Sequence, residues 1–476
     1  MSFGCAEKKS VEKYTSSWES LQKHPDPEWF KDAKFGIYAH WGPYSVPAYE
    51  TEWYSHWMYV KGHKINKHHV EKYGPLSEFG YKDFIPMFKA EKFNADEWAE
   101  LYKKAGARFA GPVAEHADGF AMWDSKLTQW DAMDMGPKRD VVGEMEKAVR
   151  KQGMKFIFSL HHQWLYAWYT TMDSTTDAVH AEYEDLYGPR VPASYFKMVE
   201  GKPEQLPDAK FNERWLSRAI EAVDKYQPDL VWFDNKLHIL QDKTKADFLS
   251  HYYNKALEWG RDVVATYKHE EFPKGAGILD LERSRMAEKQ DFPWLTDDSI
   301  DWKAWCHIDD PNYKSPDRLI DFLVDVVSKN GCLLLNITPK ANGEIPEGVK
   351  ERLLEMGKWL EVNGEAIYET RPWRIYGEGS MKIVEGHLSE KKNKDATAEE
   401  IRYTTKDQTL YAIALAWPES GKLVINSLGD QAAKIKSISL LGSDAALKWN
   451  VENEKLTIEL PAEKPNEYAY SFKLKS

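Results

Sequence analysis

This chain of 476 residues has few cysteines and no long apolar run. The three cysteines, Cys5, Cys306 and Cys332, include no Cys-x-x-Cys pair, so their spacing predicts neither a disulfide framework nor a zinc site. No stretch reaches the roughly eighteen consecutive apolar residues that cross a bilayer, and the sequence predicts no transmembrane segment. No glycine-rich phosphate fingerprint opens a helix, which argues against a doubly wound dinucleotide-binding sheet.

Basic residues are also in the minority, with 64 Lys and Arg against 76 Asp and Glu and a formal net charge of −12. A phosphate backbone requires a basic surface, so we expect no nucleic-acid partner. Aromatic residues are abundant instead, including 20 Trp and 25 Tyr. Aromatic rings stack on the apolar faces of sugars, which favours carbohydrate handling, although a tryptophan-rich core would explain the same count.

Short apolar runs alternate with amphipathic helical segments between residues 28 and 372. The seven or eight strand–helix units in this stretch predict an α/β fold, a (β/α)₈-like TIM barrel. Residues 293–305 are interpreted as a loop facing the site. Short strands separated by turn residues predict a C-terminal antiparallel β-sandwich over 373–476. Residues 1–27 form an N-terminal extension.

The apolar run Leu230 to Phe233 leads directly into Asp234. A short unbroken apolar run is typical of a strand buried on both faces, and α/β barrels carry their chemistry at the C-terminal strand ends. Capping of the next helix or a chain turn is the competing interpretation of Asp234. The strand exits and following loops place nine residues at the barrel mouth: His40, Glu52, Trp53, His116, His161, Trp232, Asp234, Glu282 and Trp305.

Carboxylates, imidazoles and flat aromatic faces at one barrel mouth suit three kinds of protein. Two carboxylates can cleave a glycosidic bond, one attacking the anomeric carbon and the other protonating the leaving oxygen. A metal hydrolase would carry His-x-His after its first strand, whereas this chain has only the adjacent His161-His162. A non-catalytic sugar-binding protein would use the same aromatics but needs no isolated carboxylate on a central strand.

Five motifs, in order, resemble the α-L-fucosidases of glycoside hydrolase family 29. They begin at Lys34 (Lys-Phe-Gly-Ile-Tyr-Ala-His-Trp-Gly-Pro-Tyr-Ser-Val-Pro), Glu52 (Glu-Trp-Tyr), His116 (His-Ala-Asp-Gly-Phe), Val231 (Val-Trp-Phe-Asp) and Asn330 (Asn-Gly-Cys-Leu-Leu-Leu-Asn-Ile-Thr-Pro). The resemblance covers residues 28 to about 372. It implies a barrel, a C-terminal β-sandwich and retaining exo-hydrolysis of terminal α-L-fucose from an oligosaccharide or polysaccharide, without a cofactor or metal.

Carried over by position, the resemblance makes Asp234 the nucleophile. It assigns His40, Glu52, Trp53 and His116 to the sugar hydroxyls, and Tyr38, Trp232 and Trp305 to the surroundings of the C5 substituent. Trp41, His161, His162 and Lys268 complete the expected substrate contacts. Glu282 is the expected acid/base, with Glu288 and Glu271 as alternatives.

The sequence departs from the family pattern near the sugar. Ala117 stands where the family has a second histidine, so one hydroxyl-binding imidazole is missing unless His161 or His162 replaces it. Lys268 and Tyr38 stand where Arg and Phe are common. Polar groups beside the methyl pocket of fucose would admit a larger C6 substituent. The alternative function is therefore an exo-α-L-galactosidase, including action on 6-sulfated L-galactose of algal polysaccharide.

The N-terminus carries a small residue before Cys5 and then a polar stretch. This arrangement is what remains of a bacterial lipoprotein signal after its hydrophobic segment is lost, and it predicts export to the periplasm or cell surface. A cysteine at random explains it almost as well, which leaves a cytoplasmic location open.

Overall fold

The computed structural model describes residues 13–192 and 206–476, so Cys5 lies outside the described residues. Eight parallel strands close into a barrel in chain order, and β1 pairs with both β2 and β8. The barrel strands are β1 Phe35–Ala39, β2 Phe109–Glu115, β3 Lys155–Leu160, β4 Leu230–Phe233, β5 Val264–Lys268, β6 Ile278–Glu282, β7 Trp294–Ser299 and β8 Gly331–Ile337. The predicted TIM barrel is thereby confirmed.

Helices cover the outside of the barrel. Four of the longer helices begin at a side chain that accepts a backbone N–H, namely Asn94, Asp140, Asp208 and Ser315, and such caps satisfy otherwise unpaired donors. The helices are α1 Trp18–Leu21, α2 Glu28–Ala33, α3 Tyr54–Trp57, α4 Lys64–Tyr73, α5 Ala95–Lys104, α6 Val141–Lys151, α7 Glu184–Tyr187, α8 Ala209–Tyr226, α9 Asp242–Trp259, α10 Pro316–Ser328 and α11 Glu347–Asn363. No helix in the described ranges is long and apolar enough to cross a membrane.

Strand β7 corrects the interpretation of residues 293–305 as a loop. All six of its residues are buried, although Thr296, Asp297, Asp298 and Ser299 are polar. Asp298 accepts a hydrogen bond from Lys314 Nζ at 2.8 Å, and Asp297 accepts one from Lys268 Nζ at 2.7 Å. These cations come from other elements, so the local sequence of β7 gives no sign that its carboxylates are paired.

The chain beyond the barrel forms two antiparallel sheets. One has the order β13-β16-β11-β10-β9 and the other the order β12-β15-β14. Their strands are β9 Arg371–Glu378, β10 Ile401–Lys406, β11 Thr409–Ala414, β12 Lys422–Ile425, β13 Ser437–Leu440, β14 Trp449–Glu452, β15 Lys455–Glu459 and β16 Tyr470–Lys475. The predicted C-terminal sandwich is confirmed, and the boundary predicted at residue 372 falls inside β9.

Buried ion pairs join the two parts. Asp325 on α10 contacts Arg402 Nε of β10 at 2.6 Å, Lys329 Nζ at 2.8 Å and Arg285 Nη1 at 3.3 Å. Burial alone would raise the pKa of Asp325, but these three cations hold it far below its usual range. A carboxylate so enclosed fixes the sandwich against the barrel helix.

Candidate active site

A cavity of about 670 Å³ opens at the C-terminal ends of the barrel strands. All nine residues that the sequence places at the barrel mouth line it. Strand alternation explains the pattern on β4, because Trp232 and Asp234 project inward while Phe233 packs outward against Trp215 and Phe248. The barrel geometry thus brings residues that are more than 250 positions apart in the chain to the same cavity.

Asp234 stands at the exit of β4 and keeps 18% of its side-chain surface exposed to the cavity. Its Oδ1 accepts the backbone N–H of Asn235 at 2.8 Å, and its Oδ2 lies 3.5 Å from His161 Nδ1. Burial raises the pKa of Asp234 to about 6, against the opposing effect of Lys268. At neutral pH the group is an ionised, poorly solvated carboxylate, which is the state a nucleophile requires.

Three imidazoles form the floor. The ring centroids of His116 and His161 are 4.6 Å apart, and His40 lies 5.4 and 5.3 Å from them. Burial lowers the pKa of all three, to about 3 for His161, so they are neutral. His40 Nδ1 donates to Asn336 Oδ1 at 2.9 Å, because the amide nitrogen of Asn336 is itself committed to Ser299 and Trp305. Nε2 of His40 therefore remains an acceptor.

Two of these floor nitrogens, Nδ1 of His116 and of His161, make no hydrogen bond with any residue in the described part of the chain. Buried polar atoms are normally paired, so a ligand with hydroxyl groups is the natural partner. Of the two histidines expected to replace the imidazole missing at Ala117, His161 is the one that lies beside His116 in the cavity. The three rings also bring nitrogens within 4.8 Å of one another, close enough to hold a metal ion.

Charged residues lie beneath one wall of the cavity. Lys268 is buried and contacts Asp280 at 2.8 Å, Asp297 at 2.7 Å and Glu282 at 3.5 Å. Asp297 Oδ2 also accepts the Tyr38 hydroxyl at 3.1 Å. Lys268 and Tyr38 do not line the cavity themselves, whereas Asp297 does. The expected direct contacts of Lys268 and Tyr38 are therefore replaced by a supporting position under Trp232 and Asp297.

Glu282, at the exit of β6, lines the cavity with 15% of its side chain exposed. Its Oε2 lies 3.9 Å from His387 Nδ1. Of the alternative acids, Glu271 lines a neighbouring cavity of about 850 Å³ that shares Glu282 and His387 with the first. Glu288 is exposed and lines neither of them. Glu282 is the only one of the three glutamates that lines the same cavity as Asp234.

The remaining predicted contacts form the walls. Glu52 is buried, accepts the backbone N–H of Trp305 at 2.9 Å, and has its pKa raised by burial. Trp53 packs edge-on against Trp164, a lining residue that was not selected from the sequence although it lies two positions after His162. Aromatic faces and buried acceptors together suit a sugar ring.

Two predicted contacts, Trp41 and His162, lie outside the cavity and are corrected. Trp41 follows His40 by one residue, so its side chain points to the opposite face and packs against Phe88, Phe93 and Trp98.

His162 likewise follows His161 and turns away. Its Nδ1 bonds Glu115, and its ring stacks on Phe211. Burial would raise the pKa of Glu115, but Arg218 and His162 hold it at about 2. The alternation of side chains at a strand end is the sequence signal that could have shown that Trp41 and His162 point away from the cavity.

Several residues that line the cavity were not selected individually from the sequence. Asp297, Trp302 and Lys303 lie in the segment 293–305 that was expected to face the site, and Arg283 follows Glu282. His387, Leu388 and Lys391 come from beyond the predicted domain boundary. No local signal distinguishes these last three from ordinary loop residues.

Comparison with known proteins places the chain. The α-L-fucosidase family model matches residues 2–365, and the model of the α-L-fucosidase C-terminal domain matches residues 393–475. Rat tissue α-L-fucosidase is 32% identical over 97% of this chain and 92% of its own length, and the human tissue enzyme is 32% identical over the same shares. The crystal structure of Thermotoga maritima α-fucosidase in complex with fucose has a TM-score of 0.78 at 29% identity, covering 97% of this chain and all of the other. The chain therefore belongs to the α-L-fucosidase family and is a glycosidase.

Proposed function

We propose that this glycosidase releases terminal α-L-fucose from a glycan by an exo-acting, retaining, double-displacement mechanism. The observation that carries the proposal is the position of Asp234, an ionised and partly desolvated carboxylate facing a cavity whose floor is made of neutral imidazoles.

In the first step Asp234 attacks the anomeric carbon, and the glycosidic C–O bond breaks as a covalent fucosyl ester forms. Glu282 donates its proton to the departing oxygen. In the second step Glu282, now ionised, takes a proton from water, whose oxygen displaces Asp234 from the sugar. Two inversions at one carbon give net retention of configuration.

The floor and walls position the sugar for this attack. His40, His116 and His161 offer ring nitrogens to hydroxyl groups, and Glu52 offers a carboxylate held by the Trp305 backbone. These groups are fixed before substrate arrives, since each is buried and oriented by its neighbours. Preorganised partners of this kind lower the barrier because they need not reorient during reaction.

The test compares Asp234→Ala with Glu282→Ala on an aryl α-L-fucoside in the presence of azide. For Asp234→Ala, azide attacks the bound substrate directly and should yield the inverted β-fucosyl azide. For Glu282→Ala, azide attacks the covalent intermediate and should yield the α-fucosyl azide. Near-wild-type hydrolysis by either variant would contradict the assignment of that residue.

A specific observation also favours the α-L-galactosidase alternative. The resemblance assigns the surroundings of Tyr38 to the C5 substituent of the sugar. Asp297 lies there, lines the cavity and accepts a hydrogen bond from the Tyr38 hydroxyl. An apolar pocket suits the methyl group of fucose, whereas a carboxylate can accept the 6-hydroxyl of L-galactose. Sites that bind a hydroxyl discriminate strongly against analogues that lack it.

The two sugars are separated by kcat/KM on aryl α-L-fucoside and aryl α-L-galactoside. Under the galactosidase alternative, Tyr38→Phe and Asp297→Asn should reduce activity on the galactoside more than on the fucoside. Under the fucosidase proposal, the wild-type enzyme prefers the fucoside. A product chromatogram excludes the non-catalytic sugar-binding alternative, which predicts sugar affinity without release of product.

A further inference from the structure

A segment from the C-terminal half lies at the mouth of the barrel beside the exit of β6. We call residues 385–391 the strap. It lies between the two stretches matched by the family models, and three of its residues, His387, Leu388 and Lys391, line the catalytic cavity. The cavity is therefore completed by a segment that belongs to neither matched domain.

The strap is held firmly against the exit of β6. The backbone N–H of Leu388 donates to the carbonyl of Glu282 at 3.0 Å, and that of Glu390 donates to the carbonyl of Arg283 at 2.8 Å. The buried Glu390 carboxylate contacts Arg285 and Arg318, each at 2.6 Å. These contacts place the residue that follows, Lys391, at a defined position beside the cavity.

The ammonium group of Lys391 makes no hydrogen bond or ion pair with any residue in the ranges 13–192 and 206–476. The acidic residues that influence it are already engaged: Asp298 binds Lys314, and Asp301 accepts the backbone N–H groups of Lys303 and Asn312. Burial and then Arg283 lower the pKa of Lys391, in accord with a neighbouring positive charge.

Two more cations line the cavity with Lys391. Arg283 stacks over the Trp305 ring at 4.5 Å, with its guanidinium directed to backbone carbonyls. Lys303 is paired with Asp310, whose side chain is 93% exposed, so a ligand can readily replace that carboxylate. The cationic rim, defined as Arg283, Lys303 and Lys391, contrasts with the acidic neighbouring cavity, which contains Glu270, Glu271 and Glu385.

We propose that the cationic rim binds an anionic substituent, a sulfate ester or a uronate carboxylate, on the sugar unit that the enzyme cleaves away from the terminal residue. This deepens the proposed function and rests on it, because the terminal sugar fills the imidazole floor and leaves the rim to the leaving group. Lys391, which has no partner among the described residues, supplies the charge that such a group requires, and the strap fixes its position.

The experiment uses an α-L-fucosyl disaccharide in three forms that differ only in the leaving sugar: neutral, 6-O-sulfated, and oxidised to the uronic acid. The wild-type enzyme should show a higher kcat/KM on one or both anionic forms, and the preference should fall with added salt. Lys391→Gln should lower kcat/KM on the preferred anionic form about tenfold while leaving the neutral form within about twofold. The preferred form distinguishes sulfate from carboxylate.

Lys392→Gln is the matched control, because Lys392 is the next residue, is exposed, and does not line the cavity. It should change none of the three activities. Equal wild-type activity on neutral and anionic forms would overturn the proposal. So would an equal loss on all three forms in Lys391→Gln, or the same effect in Lys392→Gln.

A binding measurement separates this inference from the proposed function. Isothermal titration of the inactive Asp234→Asn variant with the neutral and sulfated disaccharides measures binding affinity at the cationic rim without cleavage. If the wild type releases no sugar yet the variant binds the sulfated ligand more tightly, the proposed function is wrong and the anion-binding role of the cationic rim is supported. If cleavage is normal and the variant binds neither anionic form more tightly than the neutral one, the rim proposal fails alone.

Discussion

Replacing Asp234 with asparagine should abolish turnover and at the same time stabilise the folded protein above pH 6. The folded environment raises the pKa of this carboxyl from 3.8 to about 6. At about 1.4 kcal/mol for each tenfold change in the proton equilibrium, holding the ionised carboxylate in the folded site costs about 3 kcal/mol. Asparagine has nearly the same shape and carries no charge, so the variant avoids this cost.

The sign of the effect follows from the two pKa values. Because the folded-state pKa is raised, protonation favours folding: the penalty is absent below about pH 4, grows between pH 4 and 6, and is complete above pH 6. The melting temperature of Asp234→Asn should exceed that of the wild type by up to roughly 3 °C at pH 8, taking about 2 cal/mol/K per residue for joint unfolding of the 476 residues. The difference should vanish near pH 4.

The measurement is thermal unfolding of both proteins across this pH range, combined with kcat/KM on an aryl glycoside. Activity of the wild type should fall tenfold per pH unit below about pH 6, as the nucleophile is protonated, and the variant should lose at least about 10³ of kcat at every pH. Asp297→Asn is the control, because it removes a partner of Lys268 at 2.7 Å and should destabilise. Equal melting temperatures at pH 8, or an equal gain at pH 4, would refute the reasoning.

Three other predictions concern the acid, the imidazole floor and the domain junction. The kcat/KM of Glu282→Ala should fall about 10²- to 10⁴-fold on a natural disaccharide but much less on an activated aryl glycoside, whose leaving group needs no proton. Glu288→Ala should behave as wild type in both assays. Chelation by EDTA should leave activity unchanged, since the three floor imidazoles are expected to bind sugar hydroxyls. Added Zn²⁺ should inhibit competitively. Loss of activity on chelation would favour the metal-hydrolase alternative. Asp325→Ala should destabilise the protein by about 3–5 kcal/mol, measured by chemical unfolding at pH 7, because it removes a carboxylate that three buried cations share. Wild-type stability should fall in acid as Asp325 is protonated.

The elements that the sequence predicted well have signals that are local. The run from Leu230 to Phe233 is apolar on both faces because β4 is enclosed on both faces, so its end and the position of Asp234 could be predicted. Helix α8, Ala209–Tyr226, likewise begins at a local signal, the capping residue Asp208. Such patterns depend only on neighbours within one or two turns.

The errors have a common cause, which is pairing with distant residues. Strand β7 resembled a loop because Asp297 and Asp298 are neutralised by lysines from β5 and from the segment before α10. The Trp41 and His162 assignments failed because the strand-end alternation that carries His40 and His161 inward carries the next residue outward. Lys391 could not be predicted, since the ion pairs that hold the strap join residues about 70 to 105 positions apart.

The barrel, the sandwich, the family and nine of the eighteen residues that line the cavity could be predicted from the sequence, since apolar periodicity and short motifs are properties of contiguous residues. The fold determines which carboxylates are free to react and which are neutralised, and it leaves Lys391 without a partner among the described residues. The physical reason is that the ionisation and reach of a side chain depend on the solvent and charges around it, and here these come from segments far apart in the chain.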